Sequence, residues 1–413
     1  MSGRRVVITG MGLVSPLGNV VDQFWDRHLA GESGVKPITR FDTTEFTVKF
    51  GGECTDFDVT KWVDRRVGQR MDRFAQLAVA ASLEAFKNAG FEHGAGNPSR
   101  FGVITGSGIG GISELEGQYK RLLEKGPMKV SAFTIPKLMV NAASGNISIL
   151  TGAMGPNTAV ATACASATHA MGDALNAIRY DMADVMLTGG SEAALCPLAL
   201  GGFAVMGALS TRNDAPVKAS RPWDKDRDGF VLGEGAGMFV FEELEHAKRR
   251  GAKIFAEVLG FGTSADAYHI TQPEEKGLGA TAAMRMRLAS AHLNPDQIDY
   301  INAHGTGTPL GDVAETLAIK NVFGAHAYKL SISSTKSATG HLLGASGGVE
   351  LIATVKAIMN GVVPPTINLE SPGEGCDLNY TPLVPRDKRI NFAISNSFGF
   401  GGHNACIVVG RYH

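Results

Sequence analysis

Short apolar and β-branched runs alternate along the chain with longer segments in which apolar positions recur every three or four residues. The short runs predict strands, and the longer segments predict helices with one buried face. The predicted strands span residues 4–9, 101–105, 184–188, 237–242, 254–261, 300–302, 330–333, 391–395 and 405–409. The predicted helices include residues 71–89, 165–181, 279–291, 312–323 and 346–360. This alternation predicts an α/β fold whose sheets are mostly buried.

A weak internal repeat divides the sequence. The turn around Cys164 leads into a predicted helix and then into a strand that ends in TGGSEA, while STKSATGHLLGASGGVE leads into a helix of similar length. GEGAGMFVFEE and GFGGHNACIVVG each place a glycine turn before an apolar strand. The repeat indicates two related halves, residues 1–254 and 255–413, whose turns lie against each other.

The composition narrows the classes of function. Of the 413 residues, 44% are hydrophobic and 19% are charged, so a large core is available and disorder is not expected. A net charge of −1 argues against a general nucleic-acid or anionic-membrane binder. The five cysteines are odd in number and lack a CxxC pair, which indicates free thiols in a reducing compartment. Because there is no signal-peptide pattern and no unbroken apolar span, we expect a cytoplasmic protein without membrane insertion.

Cys164 is the first candidate for chemistry. The sequence ATACASATHAMGDALNAI places it between a predicted strand and a predicted helix, where the N–H groups of the helix N-terminus favour a thiolate. Its small neighbours leave the sulfur accessible to a bulky thioester. A small cysteine is also typical of simple core packing, so position alone leaves both interpretations open.

Two histidines follow predicted strands. His304 lies in YINAHGTGTPLGD and His341 lies in SSTKSATGHLLGASGG, both in small-residue turns at strand exits, where α/β proteins place their chemistry. Each histidine, taken alone, is more often structural. Neither has acidic or cysteine neighbours at ligand spacing, so we expect no catalytic metal.

Four separated motifs resemble those of the β-ketoacyl-ACP synthases of the thiolase superfamily. They are TACAS around Cys164, NAHGTGTPLGD around His304, STKSATGHLLGASGGVE around His341 and NSFGFGGHN around Phe400. RRVVITGMGLVSPLGN, RPWDKDRDGFVLGEGAG and ALSTRND are similar to the KAS II subgroup. The resemblance covers essentially the whole chain. It implies a five-layered α-β-α-β-α thiolase-like fold built from two duplicated halves.

The resemblance also implies a reaction, the decarboxylative condensation of an acyl-enzyme with malonyl-ACP in fatty acid elongation. The implied enzyme is a homodimer that uses acyl-ACP and malonyl-ACP and needs no cofactor. Cys164 is implied as the nucleophile, and His304 and His341 as hydrogen-bond donors to the enolate. The implied oxyanion hole consists of the backbone N–H groups of Cys164 and Phe400. Thiolates attack thioesters and leave well, and fixed donors stabilise developing oxyanions.

Further roles are implied for residues around the reacting groups. Phe400, between glycines, is implied as a mobile gate between the acyl pocket and the malonyl channel. Thr306 and Thr308 offer hydroxyls to the pantetheine amides, although in a GTGT turn they also suit the backbone. Ile109 and Phe230 are implied to line the substrate pocket.

Supporting charges are implied around the histidines. Lys336 is implied to organise them, and Glu350 is implied as a structural partner of this network. Family members can also hold a structural monovalent cation, here near Asn302, Ala303, Glu350, Ser395 and Asn396.

An acidic carrier protein requires a basic surface. Arg65 is followed by Arg66, Arg70 and Arg73, the last three at i, i+4 and i+7, which predicts one helical face for carrier docking. One departure affects this prediction, because Gly207 stands where the family commonly has arginine.

Other interpretations remain. A polyketide-type ketosynthase or a KAS I type synthase with a different chain-length preference is the main alternative, because pocket depth cannot be judged from sequence. A degradative thiolase would carry a second catalytic cysteine in the C-terminal glycine loop, and a chain-length factor would lack the nucleophile that Cys164 provides. The segment GSGIGG matches a dinucleotide fingerprint, but the acidic residue expected about 20 positions later is missing.

Overall fold

In the computed structural model, which describes residues 3–94 and 96–413, strands and helices alternate as the hydrophobic pattern predicts. The strands are β1 (Val6–Val14), β2 (Val35–Pro37), β3 (Phe50–Gly52), β4 (Phe101–Gly106), β5 (Asn157–Val160), β6 (Val185–Glu192), β7 (Gly235–Glu243), β8 (Ala256–Ala265), β9 (Tyr300–Asn302), β10 (Ser331–Ser333), β11 (Val362–Val363), β12 (Arg386–Asp387), β13 (Phe392–Gly399) and β14 (His403–Gly410). The α-helices are α1 (Val21–Leu29), α2 (Arg65–Gly68), α3 (Arg73–Asn88), α4 (Ile112–Lys125), α5 (Thr134–Leu138), α6 (Ala142–Thr151), α7 (Ser166–Arg179), α8 (Pro197–Val205), α9 (Leu244–Arg249), α10 (Leu278–Ala291), α11 (Pro309–Phe323), α12 (Lys336–Thr339) and α13 (Ser346–Asn360).

The predicted elements are present, with ends displaced by a few residues, and α13 has the predicted bounds. Two of the elements that the pattern missed lack a buried face. Strand β5 is exposed or half-buried throughout, and α4 contains no buried residue, so neither carries a continuous apolar signal. Among the described helices, none has both the length and the apolar character that crossing a membrane requires.

The main sheet repeats one strand order twice. Its ten strands run β10-β9-β13-β14-β8-β1-β7-β6-β4-β5. From the centre outwards, β1-β7-β6-β4-β5 and β8-β14-β13-β9-β10 each show two antiparallel pairings and then two parallel ones. The halves join through a short antiparallel pairing of β1 with β8. This repetition supports two related halves, while their boundary at residue 255 stays a prediction.

Helices cover both faces of each half-sheet. Helix α3 packs on β1 and β7, α10 packs on β8 and β14, and α7 and α13 contact strands of both halves. Along β7, Met238 and Val240 face the core beneath α3, whereas Phe239 and Phe241 face the central core. Because both faces are buried, strands read as continuous apolar runs. The predicted five-layered α-β-α-β-α fold is confirmed, and α7 and α13 form its central layer.

Candidate active site

Cys164 lies at the entrance to the central helix α7. It is the middle residue of the 3-10 turn Ala163–Ala165, which directly precedes α7. Ala163 has φ 48°, a left-handed conformation that costs a non-glycine residue of order 1–3 kcal/mol. Ser166 holds the turn, since its Oγ accepts a hydrogen bond from Thr162 N at 2.9 Å and donates to Ala163 O at 2.7 Å. The strained turn therefore fixes the position of the sulfur.

Three distant chain segments meet at one cavity of 580 Å³, lined by Cys164, His304 and His341. All three side chains are at most 9% exposed, so a substrate reaches them through this cavity. The predicted substrate-binding residues line the same cavity, namely Ile109, Phe230, Thr306, Thr308 and Phe400.

The Cys164 thiol is protonated at neutral pH. Burial raises its pKa to about 12, against the opposing effects of the Lys336 charge and a hydrogen bond from the Phe400 N–H, while Glu192 and Glu350 raise it further. Burial thus works against the thiolate that the helix N-terminus favours. The sulfur must lose its proton during the reaction rather than before it.

Neighbouring side chains contact Nδ1 of each histidine. Lys336 Nζ lies 3.3 Å from His304 Nδ1, and because lysine only donates, this ring nitrogen accepts. The neutral His304 ring therefore carries its hydrogen on Nε2. His341 Nδ1 lies 2.9 Å from Ser346 Oγ, which also accepts a hydrogen bond from Leu342 N at 3.0 Å. The serine hydroxyl can donate to His341 Nδ1, and the hydrogen of that ring then also lies on Nε2.

Both imidazoles are neutral at physiological pH. Burial and the Lys336 charge hold the pKa values of His304 and His341 well below the ordinary value of 6.5. Their ring centroids lie 5.3 Å apart. Phe398 packs against His304 and Phe230 against His341, with centroid separations of 5.8 Å and 5.2 Å. The cavity therefore presents a thiol next to two neutral N–H donors.

The sequence matches known proteins along its length. Residues 3–247 match the family described as "Beta-ketoacyl synthase, N-terminal domain", and residues 255–370 match "Beta-ketoacyl synthase, C-terminal domain". The chain belongs to the β-ketoacyl synthase family. The 3-oxoacyl-[acyl-carrier-protein] synthase 2 of Coxiella burnetii is 52% identical over 411 residues, which are 100% of this chain and 99% of the relative. The protein of the same name from Vibrio cholerae is 51% identical over 413 residues, 100% of both chains.

Solved structures of β-ketoacyl synthases share the fold. One from Burkholderia phymatum STM815 has a TM-score of 0.91 and 36% identity, covering 99% of this chain and 100% of that chain. A type II polyketide synthase acyl-carrier protein in complex with its ketosynthase, bound to the hexaketide, gives a TM-score of 0.91 and 34% identity with 100% coverage of both chains.

In this β-ketoacyl synthase, a buried ion pair stands behind the histidines. Lys336 is 1% exposed and pairs with the equally buried Glu350. Burial raises the pKa of Glu350, and the Lys336 charge opposes that rise. The lysine does not line the cavity, so it contacts His304 rather than a substrate.

Oxygen atoms near Glu350 fit the predicted monovalent cation. Asn302 Oδ1, Glu350 Oε2 and Ser395 Oγ are buried, and none has a hydrogen-bond partner within residues 3–94 and 96–413. Carboxylate, amide and hydroxyl oxygens are ligands that a hard cation takes. The Asn396 side chain instead donates to Glu315 Oε1 at 3.2 Å, and Ala303 offers only its backbone carbonyl.

Two carboxylates that the motifs did not single out hold the His304 turn of the β-ketoacyl synthase. Glu315 accepts from His304 N at 2.9 Å and Gly305 N at 2.8 Å, and Asp312 accepts from Thr306 N at 3.1 Å. Both lie on α11 and are buried. In the sequence these are two acidic residues three positions apart, directly after the histidine turn. They were missed because acidic residues are common at the start of any helix.

The loop of the predicted gate is braced by a second segment. Phe400 lies between β13 and β14, and the next residue, Gly401, has φ 82°. Gly401 N donates to Ile270 O at 2.7 Å, and Asp266 N donates to Gly402 O at 2.9 Å. Residues 266–270 were missed because polar loops carry no periodic pattern. These contacts restrain the backbone on the C-terminal side of Phe400.

Arg66, Arg70 and Arg73 do not share one helical face, so that expectation is wrong. Arg65 and Arg66 lie on α2, Arg70 lies in the following turn, and Arg73 begins α3. Helix α2 ends at Gly68, and Asp72 caps α3 by accepting from Phe74 N. The i, i+4 and i+7 spacing therefore spans a helix break.

Arg73 is also unavailable for a partner. Its guanidinium contacts both carboxylate oxygens of the buried Glu234 at 2.7 Å. Arg65, Arg66 and Arg70 are exposed. Gly207 lines the cavity with φ 70°, and a Cβ there would meet open space.

Proposed function

We propose that this β-ketoacyl synthase is a 3-oxoacyl-[acyl-carrier-protein] synthase of fatty acid elongation, joining an acyl-enzyme to malonyl-ACP with loss of CO2. The observation that carries the proposal is the convergence of Cys164, His304 and His341 on one cavity. Relatives named for this activity are about 50% identical over the full chain, whereas the ketosynthase with a hexaketide is 34% identical. The higher identity favours the fatty acid reaction.

In the first half-reaction, the Cys164 sulfur attacks the acyl thioester. The tetrahedral oxyanion accepts hydrogen bonds from the backbone N–H groups of Cys164 and Phe400. This role is supported by the approach of the two segments, since a Cβ on Gly399 would lie 3.1 Å from Cys164 N. The proton of the thiol leaves with the departing carrier thiol, so the exchange of one thioester for another is balanced.

In the second half-reaction, malonyl thioester occupies the cavity beside acyl-Cys164. The Nε2–H groups of His304 and His341 donate to its thioester carbonyl, so that loss of CO2 leaves an enolate with a stabilised oxygen. The enolate carbon attacks the acyl carbonyl, and the cysteine thiolate departs and takes up a proton. Neutral imidazoles suit this role, because a donor is required throughout and no proton need be lost.

The surroundings keep the donors in place. Lys336 holds His304 Nδ1 as an acceptor, and Glu350 neutralises the lysine. A monovalent cation bound by Asn302, Glu350 and Ser395 would supply a positive charge beside this pair. The hydroxyls of Thr306 and Thr308 bond to each other at 2.9 Å, which leaves one hydrogen for a pantetheine amide.

Carrier docking is proposed for Arg65, Arg66 and Arg70, which are exposed and positive. Replacing each by glutamate should raise the KM for acyl-carrier by several-fold, since a charge reversal at a rim costs about 1 kcal/mol. The exposed Arg249 on α9 does not line the cavity, so Arg249→Glu is the matched control. An unchanged KM in all three variants would remove these residues from the docking surface.

We also propose a homodimer that pairs through the free edge of β5. This strand ends the sheet and is exposed or half-buried. Exposed sheet edges are usually covered in native proteins. Large apolar side chains near this edge are exposed as well, namely Phe133, Ile135, Met139, Ile149 and Met154. Light scattering that gives one-chain mass at micromolar concentration would contradict the proposal.

A cytoplasmic location is proposed on the basis of the thiols. All five cysteines are free and buried. Reducing compartments keep cysteines in this state. Localisation of a tagged chain by fractionation tests the assignment.

The second candidate function is a ketosynthase with another chain-length preference, of the polyketide or KAS I type. It is favoured by the fold shared with the ketosynthase bound to a hexaketide. Mass spectrometry of the products from malonyl-carrier and a ladder of acyl primers separates the two. Extension of saturated acyl primers of increasing length, each by one unit, supports fatty acid elongation, in which the β-keto group is reduced between rounds. Repeated extension of one unreduced β-keto chain would replace it by the polyketide assignment.

A further inference from the structure

A buried carboxylate lies beneath the cavity and takes no part in the reaction steps above. Glu192, the last residue of β6, is fully buried. It accepts hydrogen bonds from Ser107 Oγ at 3.1 Å, Gly108 N at 2.7 Å, Ile109 N at 3.2 Å and Gly344 N at 3.1 Å. One side chain thus joins segments that are more than two hundred residues apart.

Both segments reach the reacting groups. Ile109 lines the cavity together with Cys164. Gly344 belongs to the turn that precedes α13, and Ser346, the first residue of that helix, contacts His341 Nδ1. A shift of the Glu192 carboxylate would therefore move the Ile109 loop relative to His341.

The segments pack too closely around Glu192 for other residues. A Cβ on Gly108 would lie 2.8 Å from Glu192 Oε2. A Cβ on Gly344 would lie 2.8 Å from the same oxygen and 2.3 Å from Gly108 N. A side chain at Gly344 would clash with the Gly108 backbone, and one at Gly108 would displace the Glu192 carboxylate, so both glycines let the two backbones lie directly against Glu192.

We propose that Glu192 is a positioning residue for acyl-chain selection, holding the Ile109 loop at a fixed place relative to Cys164. The inference rests on the proposed condensing function and adds a determinant of which acyl groups reach the sulfur. Glu192 touches no substrate, so it acts through the loop. The four hydrogen bonds to its two oxygens hold the loop and the Gly344 turn on one side chain.

The arrangement requires a carboxylate rather than an amide. Oε1 accepts from Ser107 and Ile109, while Oε2 accepts from Gly108 and Gly344. Glutamine has one acceptor oxygen and a donor NH2 group, which would face at least one backbone N–H donor in either orientation. Glu192→Gln keeps the volume of the side chain and removes at least one of the four hydrogen bonds.

The test uses Glu192→Gln with a matched control, Glu84→Gln. Glu84 is another largely buried carboxylate that accepts backbone hydrogen bonds, from Leu13 N at 2.8 Å and Val21 N at 3.0 Å, but it does not line or underlie the cavity. Two measurements are made on the full chain. One is the rate of Cys164 acylation by carriers with short to long acyl groups, and the other is amide hydrogen exchange.

In Glu192→Gln, peptides containing Gly108 and Gly344 should lose protection together. Acylation should slow by roughly tenfold to 100-fold, since a displacement of about 1 Å costs up to about 10²-fold, and the ratio of long-chain to short-chain rates should change. Glu84→Gln should instead loosen peptides around Leu13 and Val21 and keep the wild-type ratio.

Three results decide the matter. A wild-type ratio in Glu192→Gln overturns the inference, and so does an equal change in Glu84→Gln, because general loosening would then explain both. If Glu192→Gln does not fold, Ser107→Ala removes one of the four bonds and should change the ratio in a smaller degree, and an unchanged ratio there overturns the inference. If the wild-type protein is not acylated on Cys164 by any primer, the condensing function itself fails.

Discussion

The turns at Cys164 and Gly344 have similar backbone conformations, but their middle residues differ in chemistry. Each residue is the middle of a three-residue 3-10 turn that precedes a central helix beginning with serine. The residue before each has nearly the same left-handed φ, 48° for Ala163 and 46° for Leu343. The first turn places a thiol in the cavity, while the second has no side chain at Gly344 and donates its backbone N–H to Glu192. Duplication of one structural unit therefore does not duplicate its chemistry.

The difference depends on one residue at the end of a neighbouring strand. Gly399 ends β13 and Glu192 ends β6, strands that occupy the same place in the two halves. A Cβ on Gly399 would already lie 3.1 Å from Cys164 N, so the glycine leaves this N–H free for an oxyanion. In the other half, the Glu192 carboxylate lies 3.1 Å from Gly344 N. An internal carboxyl group occupies the place that corresponds to the proposed oxyanion site of the first half.

Removing the Cys164 thiol should eliminate the chemical difference between the two turns. Cys164→Ala should abolish acyl-enzyme formation and lower condensation by at least about 10⁴-fold, because no other group can carry the acyl chain. Intact-protein mass spectrometry with labelled acyl-carrier measures the effect. Cys376→Ala, which removes a buried cysteine outside the cavity, should label as the wild type does. Labelling of the Cys164 variant at the wild-type rate would exclude this nucleophile.

The histidines should separate the two half-reactions. His304→Ala and His341→Ala should lower malonyl decarboxylation by about 10²–10³-fold, the usual cost of removing a donor to an oxyanion. Acylation of Cys164 should fall by less, since its oxyanion is placed on backbone N–H groups. Release of labelled CO2 and acylation of the protein are measured separately. Equal losses in both would contradict the division of roles.

A methyl group at Gly399 should obstruct the Cys164 N–H, as Glu192 occupies the Gly344 N–H in the second turn. In Gly399→Ala the Cβ would lie 2.8 Å from Thr162 O and 3.1 Å from Cys164 N, so the Cys164 turn must shift. Acyl transfer should fall by about tenfold to 100-fold. Gly117→Ala is the control, because it lies on α4 and a Cβ there would meet nothing within 4 Å. Equal rates for both variants would show that the approach of Gly399 has no functional importance.

Motifs and buried patterns could be predicted from the sequence because they are local. The predicted bounds of helix α13 match the structure, since small residues before Ser346 and a glycine after Asn360 mark its ends. Cys164, His304 and His341 stood out because each follows a strand in a short turn. The structure adds that these turns surround one cavity.

Pairings between distant side chains could not be predicted. Arg73 belonged to an apparent basic face until the structure placed the buried Glu234 against it and Asp72 at the cap of α3. Glu192 looked like an ordinary residue of TGGSEA, because its four hydrogen-bond donors come from other parts of the chain. Burial raises the pKa of Cys164, whereas the sequence showed only the helix N-terminus, which favours the thiolate.

The smallest expected effect is a difference between the two turns in how the free energy of unfolding depends on pH. Burial raises the pKa of Glu192 from 4.5 to about 7, so between these values the folded protein holds a proton that the unfolded chain has lost. The free energy of unfolding contributed by this group therefore decreases as pH rises from about 4.5 to 7. Since the glutamine side chain in Glu192→Gln does not titrate, the stability difference between wild type and this variant should be larger at pH 5 than at pH 8, by about 2 kcal/mol. The Cys164 thiol has an ordinary pKa of 9.0 and a folded value of about 12, so it stays protonated in both states over this range. In urea unfolding, the free energy of unfolding of Cys164→Ala should therefore differ from that of wild type by the same amount at both pH values. If the difference for Glu192→Gln is also independent of pH, the carboxylate beneath Gly344 is ionised throughout this range.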